Sequence, residues 1–102
     1  MPNGTIAVDF DGVIHSYSKG WHDGTVYDLP IPGSIESIEK LRRKGYDVVI
    51  FTARANLQFV RKWLAEYFEN PPHVVNTKPI AIAYIDDRAI RFTNWKDMLN
   101  YF

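Results

Sequence analysis

Two aspartate clusters carry the chemistry that this sequence could perform. Asp9-Phe10-Asp11-Gly12-Val13 directly follows the apolar run Thr5-Ile6-Ala7-Val8. Asp86-Asp87 directly follows Ile80-Ala81-Ile82-Ala83-Tyr84-Ile85. Short apolar runs rich in β-branched residues read as buried strands of a parallel sheet. Ligands of open α/β sheets bind outside the carboxyl ends of the strands. Asp9, Asp11, Asp86 and Asp87 at one sheet edge would repel one another unless a cation shared them. Oxygen ligands of this kind suit a hard divalent ion, Mg²⁺ first.

The elements between the acids are those needed to bring them together. After Val13 a polar, aromatic stretch from about 15 to 32 contains Gly20, Gly24 and two prolines, and reads as a loop or small β-hairpin. The first helix should run from Ser34 to Lys44, with Ile35, Ile38 and Leu41 inward, Glu36/Lys40 and Glu39/Arg43 paired, and Gly45 closing it. Tyr46–Phe51 is the second strand and leads into Thr52-Ala53-Arg54. The second helix is expected from Asn56, as N-cap, to Glu69, with Val60, Trp63, Leu64 and Tyr67 inward. Asn70-Pro71-Pro72 stops it. Val74-Val75 forms a short third strand, Thr77-Lys78-Pro79 a turn, Ile80–Ile85 the fourth strand, and Ile90-Arg91-Phe92 a fifth. Asn94 then caps a last helix, Trp95–Tyr101, with Asp97 at the reciprocal position of a capping box. Alternating strands and helices imply an α/β, three-layer, Rossmann-like parallel sheet.

With 102 residues, 46% of them hydrophobic, the chain reads as one domain spanning 1–102 with a core of its own. The formal net charge is zero, which lends no support to nucleic-acid binding. The absence of cysteine excludes disulfides, thiolate nucleophiles and cysteine zinc sites. Met1-Pro2-Asn3-Gly4 shows no leader pattern and no run is long enough to span a bilayer, so a cytoplasmic setting without membrane contact is expected. His15, His22 and Asp23 are too irregularly spaced for a zinc site, and loop histidines are usually solvated. His73 receives no role.

Asp-x-Asp-x-Val after the first strand, Thr52 after the second, an isolated Lys78, and Asp86-Asp87 after the fourth occur in the order of the four motifs of the haloacid dehalogenase (HAD) superfamily. The chain resembles a small member of that superfamily from Ile6 to Asp87. The resemblance implies an HAD-like fold and a phosphatase that passes through an aspartyl-phosphate. Asp9 would be the nucleophile and Asp11 the acid and base. Thr52 and Lys78 would bind the phosphoryl oxygens, with backbone N–H groups near Phe10–Asp11 and Ala53. Asp86 would bind Mg²⁺ with the Asp9 carboxylate and the Asp11 carbonyl, and Asp87 would serve as ligand or orienting acid. Receiver domains also combine acids with Thr and Lys, but there the acid pair comes first and the phosphorylated Asp later, so the order here argues against that reading.

HAD-like proteins differ mainly in inserted caps, and neither gap here has room for one. The 15–32 stretch is then a flap, in which Tyr17, Lys19, Trp21, His22 and Tyr27 either contact the leaving group or, for the aromatics, simply roof the small core. Arg54 and Arg88 sit close enough in sequence to bind a second anionic group or to pair with the carboxylates. The string Ile85-Asp86-Asp87-Arg88, followed by Trp95, is locally similar to the phosphatase half of phage-type polynucleotide kinase. The expected substrate is a small phosphomonoester such as a nucleotide or sugar phosphate. The alternatives are a nucleic-acid 3′-phosphatase and a non-catalytic domain that binds phosphate or a partner. An open site and terminal Tyr101 and Phe102 are compatible with a homodimer.

Overall fold

The run after Gly4 becomes the centre of a sheet because it is apolar on both faces. A computed structural model describes residues 4–20, 25–77, 79–86 and 90–102. Its elements are β1 (Gly4–Asp9), α1 (Ser34–Arg43), β2 (Tyr46–Phe51), α2 (Gln58–Tyr67), β3 (His73–Val75), β4 (Ala83–Asp86), β5 (Ile90–Arg91) and α3 (Trp95–Leu99). The strands form one five-stranded sheet in the order β3-β2-β1-β4-β5. Every neighbouring pair is parallel. The expected Rossmann-like α/β class is therefore the observed one.

Alternation along the strands sorts the two faces. Ile6, Val8, Val48, Ile50, Val74 and Ile85 lie on one side and join a single core cluster with Ile38 and Leu41 of α1, Val60, Trp63 and Leu64 of α2, and Trp95 and Met98 of α3. Ile38 and Leu41 are fully buried, each contributing roughly 1.5–3 kcal/mol at most. That burial, more than helix propensity, holds a helix of 10 residues in place. The chain steps outward from β1 to β2 to β3, then returns to the other side of β1. A right-handed return must cross the face opposite the helices. Tyr84, which lies on that face by its register with Ala7, bonds through its hydroxyl to the Pro79 carbonyl of the returning segment.

Several boundaries differ from expectation for local reasons. Helix α1 keeps its expected start, behind Gly33 at φ 84°, but Glu39 pairs with Arg42 at 2.8 Å rather than with Arg43. Helix α2 begins at Gln58 with Leu57, not Asn56, at its N-cap; the Asn56 side chain, one residue outside, accepts the Gln58 N–H at 3.0 Å. It ends at Tyr67, since Phe68 is extended ahead of the prolines. The fourth strand starts at Ala83, not Ile80. Ile80 is 98% and Ile82 63% exposed, and pairing with β1 begins only at Ile6↔Ala83. The apolar run is spent on the return across the sheet. In α3, Asn94 accepts the Asp97 N–H at 2.9 Å, as expected. The reciprocal bond is altered: the Asp97 carboxylate accepts from the Asn94 side-chain amide and the Thr93 hydroxyl.

Candidate active site

The strand order reverses between β1 and β4, and the acids end these two strands. Val8 is paired with Ile85, so Asp9 and Asp86 stand abreast one residue further on. Neighbouring strands are about 4.8 Å apart, and alternation sends both side chains to the same face. On the other flank Asp9 pairs with Phe51, which brings Thr52 level with Phe10. A crevice at such a switch point is the usual ligand site of open α/β sheets. Thus Asp9, Asp11, Thr52, Ala53, Arg54 and Asp86 meet at one sheet edge. Lys78, Asp87, Arg88 and Trp21, expected beside them, lie outside the described residues.

The turn after β1 is wound tightly around one carbonyl. Phe10 O accepts from the N–H groups of Val13, Ile14 and His15, and Gly12 takes φ 82° to close the turn. A side chain at Gly12 would find open space, so its left-handed backbone is what asks for glycine. The Phe10 N–H, expected to face a phosphoryl group, is given instead to the Asp9 carboxylate at 2.9 Å.

Asp11 is bonded from two sides. Arg54 donates to it twice, Nε to Oδ2 at 2.9 Å and Nη2 to Oδ1 at 3.0 Å. His15 Nδ1 lies 2.9 Å from Oδ1. Burial alone would push the Asp11 carboxyl up, but the hydrogen bonds from His15 and Arg54 and their charges outweigh it and hold it below the usual carboxylate range. Arg54 therefore pairs with a carboxylate, one of the two roles open to it in the sequence. Its guanidinium also lies over the Tyr17 ring, 5.9 Å from the centroid. Thr52 is buried; its hydroxyl accepts the Arg54 N–H at 3.2 Å and retains a proton to donate.

The flap folds back as a small hairpin-like arm. Ser16 N–H bonds Leu29 O and Ile31 N–H bonds Ile14 O, closing its base. Tyr27 donates its hydroxyl to Gly20 O and accepts the Lys19 N–H, both at 2.9 Å. The Asp28 carboxylate accepts from the Ser18 hydroxyl and N–H and from the Leu29 N–H, which lower it to about 2. Trp63 of α2 pins the arm from below by donating Nε1–H to Asp28 O at 2.9 Å. The expectation that His15 is solvated fails: it is fully buried beneath this arm. Only its spacing of four residues from Asp11, across a glycine turn, hinted at this. A pocket of about 360 Å³ between the arm and α2 lies on the far side of Asp28, lined by Phe59, Trp63 and Tyr67 among others.

The fold, with 19% identity, is similar to that of a conserved protein from Bacteroides thetaiotaomicron, with a TM-score of 0.70 over 93% of this chain and 85% of the other. At that identity the likeness shows the fold alone. No protein-family model matches the chain, and no curated protein does.

Among the described residues, no group of three or more His, Asp or Glu side chains is arranged to hold a metal ion. The Asp11 carboxylate is occupied by Arg54 and His15, and the ligand expected from that residue was its carbonyl. Asp9 and Asp86 stand abreast, and the HAD resemblance adds the Asp11 carbonyl as a third oxygen donor. Mg²⁺ is commonly bound through one or two carboxylates together with waters and substrate phosphate, so this donor set fits it. Among the described residues, no helix is long and apolar enough to cross a membrane.

Proposed function

We propose that the chain is a Mg²⁺-dependent, HAD-like phosphomonoester hydrolase that works through an aspartyl-phosphate on Asp9. The observation that carries this reading is the placement of Asp9 and Asp86 side by side at the switch point, with Thr52 and Asp11 on the adjoining turns. An aspartate is ionised at neutral pH and needs no activating base to attack phosphorus.

In the first step an Asp9 carboxylate oxygen forms a bond to phosphorus as the bond to the leaving oxygen breaks. In the second, water attacks phosphorus, the bond to Asp9 breaks, and a proton passes from the water to Asp11. Arg54 keeps Asp11 in the anionic form that the second step requires. The leaving oxygen of the first step must gain its proton from an Asp11 that has taken one up, or depart as an anion. Thr52 donates its hydroxyl to a phosphoryl oxygen, with Lys78 in the corresponding role assigned by its motif. Such fixed donors commonly supply several kcal/mol of rate enhancement. Mg²⁺, held by Asp9, Asp86 and the Asp11 carbonyl, would neutralise charge on the phosphoryl group.

Substrates are small phosphomonoesters, nucleotides and sugar phosphates among them. The test is phosphate release from a panel of both, together with a 3′-phosphorylated oligonucleotide, with and without Mg²⁺, for the wild type and Asp9→Asn. Metal-dependent release that disappears in Asp9→Asn supports the reading. Silence over the whole panel by folded protein sinks it in favour of a binding domain, and preference for the oligonucleotide redirects it to an end-processing enzyme.

A further inference from the structure

His15 is fully buried, and the proposed chemistry makes no use of it. Both ring nitrogens are engaged. Nε2 lies 3.0 Å from the backbone nitrogen of Asp28, and a backbone N–H can only donate, so Nε2 accepts. Nδ1 must then carry the proton that bonds Asp11 at 2.9 Å. The ring is held in this plane by its neighbours. Phe10 stacks on it at 5.3 Å and 15°, and Trp63 and Tyr27 meet it edge-on at 5.6 and 5.2 Å.

We propose that His15 is a positioning residue that ties the seating of the flap to the orientation of the Asp11 carboxylate. This rests on the phosphatase reading, in which Asp11 handles the proton. Each link of the chain is present: Trp63 holds the Asp28 carbonyl, the Asp28 N–H holds His15 Nε2, and His15 Nδ1–H holds Asp11. Arg54 grips the same carboxylate from the β2–α2 connection. Asp11 is thereby fixed from two separate segments, the β2–α2 connection through Arg54 and the arm through His15. Lifting the arm would remove the Nε2 contact first and leave the ring free to turn away from Asp11. A positioning histidine and one that only packs behave differently under mutation.

The decisive measurement is a double-mutant cycle on Mg²⁺-dependent hydrolysis of p-nitrophenyl phosphate. His15→Phe preserves ring packing and removes both hydrogen bonds. It should lower kcat by up to about 100-fold, the scale of a small misplacement of a catalytic group, with KM changed by about 2-fold or less. In an Asp11→Asn background the same substitution should cost almost nothing more, because its effect runs through Asp11. Equal losses in both backgrounds would overturn the proposal. If His15→Phe does not fold, His15→Asn goes through the same cycle, and its retained N–H toward Asp11 should spare more of kcat. Independently of turnover, ring ¹⁵N NMR should show a proton on Nδ1 of His15 and none on Nε2; the opposite tautomer would overturn the tie itself. An Nδ1–H ring in a protein that releases no phosphate would remove the phosphatase reading, and the catalytic part of this proposal with it, while keeping the tie.

Discussion

Arg54 grips Asp11 with two nitrogens on two oxygens, at 2.9 and 3.0 Å, across 43 residues of sequence. The guanidinium side chain is 5% exposed and the carboxylate 21%, so the pair is only partly open to water. Bidentate geometry of this kind fixes direction as well as charge. Asp11 is accordingly a structural group of this fold as much as a chemical one.

Loss of the carboxylate should therefore cost stability. Asp11→Ala takes the charge away from an almost wholly buried guanidinium, and should destabilise by about 2–4 kcal/mol. Asp11→Ala/Arg54→Met, which removes both charges, should recover much of that loss. Urea unfolding midpoints of the three proteins check it; a double variant no more stable than Asp11→Ala would show that the pair is not what the single substitution breaks.

The anionic state of Asp11 bears on leaving groups. Because burial is outweighed by His15 and Arg54 and the carboxyl sits low, proton donation to the leaving oxygen is the harder of its two jobs at neutral pH. Aryl phosphates, whose leaving groups depart as anions, should show kcat/KM values about 10-fold or more above those of alkyl phosphates, within the range that general acid catalysis commands. Equal values across the series would contradict this.

Acid should unfold the arm before the core. Asp28 is lowered from 3.8 to about 2 by the Ser18 hydroxyl first, then by the Ser18 and Leu29 N–H groups. A carboxyl that is more acidic folded than unfolded stabilises the fold above about pH 4 and loses that contribution as pH falls toward 2. Asp11 is shifted in the same direction and adds to the same slope. Between pH 4 and pH 2, Asp28→Asn should show a shallower loss of unfolding free energy than the wild type, measured by urea titration at each pH. Parallel curves would mean that the Ser18 contacts do not persist in solution.

The N-cap of α1 allows a test of the backbone. Gly33 adopts φ 84°, and an added Cβ would stand 3.6 Å from Trp95 Cβ, an ordinary contact. Sterics with the neighbour are thus not the issue; the left-handed backbone is. Gly33→Ala should cost about 1–2 kcal/mol, with Gly33→Asn milder. Thermal unfolding of both variants reads the difference, and an Ala as stable as Gly would refute the cause.

Metal dependence should follow Asp86. Asp86→Ala should raise the Mg²⁺ concentration needed for half-maximal phosphate release by about 10-fold or more, as the loss of one charged oxygen ligand implies. An unchanged titration would remove Asp86 from the metal site.

The strands and their terminal acids were legible because a buried parallel strand is an unbroken apolar run, and a charge at its end stands out against it. Asp9 and Asp86 could be placed on that ground, whereas Thr52 rested on the order of the motifs. The run from Ile80 misled because an apolar run does not by itself mean pairing: Ile80 and Ile82 are exposed, and the register with β1 begins only at Ala83. Nothing in the described structure explains why Ile80 itself is apolar. The Arg54–Asp11 grip was half legible, since proximity to Thr52 put Arg54 at the site but not its partner. His15 was missed because its burial depends on Tyr27 and Asp28 coming back over it, which its spacing from Asp11 hints at but does not specify.

The reversal of strand order has a consequence for how the protein comes to fold. The pairing of β1 with β2 closes a shorter loop than the pairing of Val8 with Ile85 across most of the chain. Closing so long a loop is entropically slow. On this ground the two carboxylates of the candidate site should be brought together after the β1–β2 half of the sheet. Pulse-labelled hydrogen exchange should find the β1–β2 amides protected before those of β4. Until the last of those contacts forms, Asp9 and Asp86 are spared each other's charge, and the cost of crowding them falls on a sheet already half built.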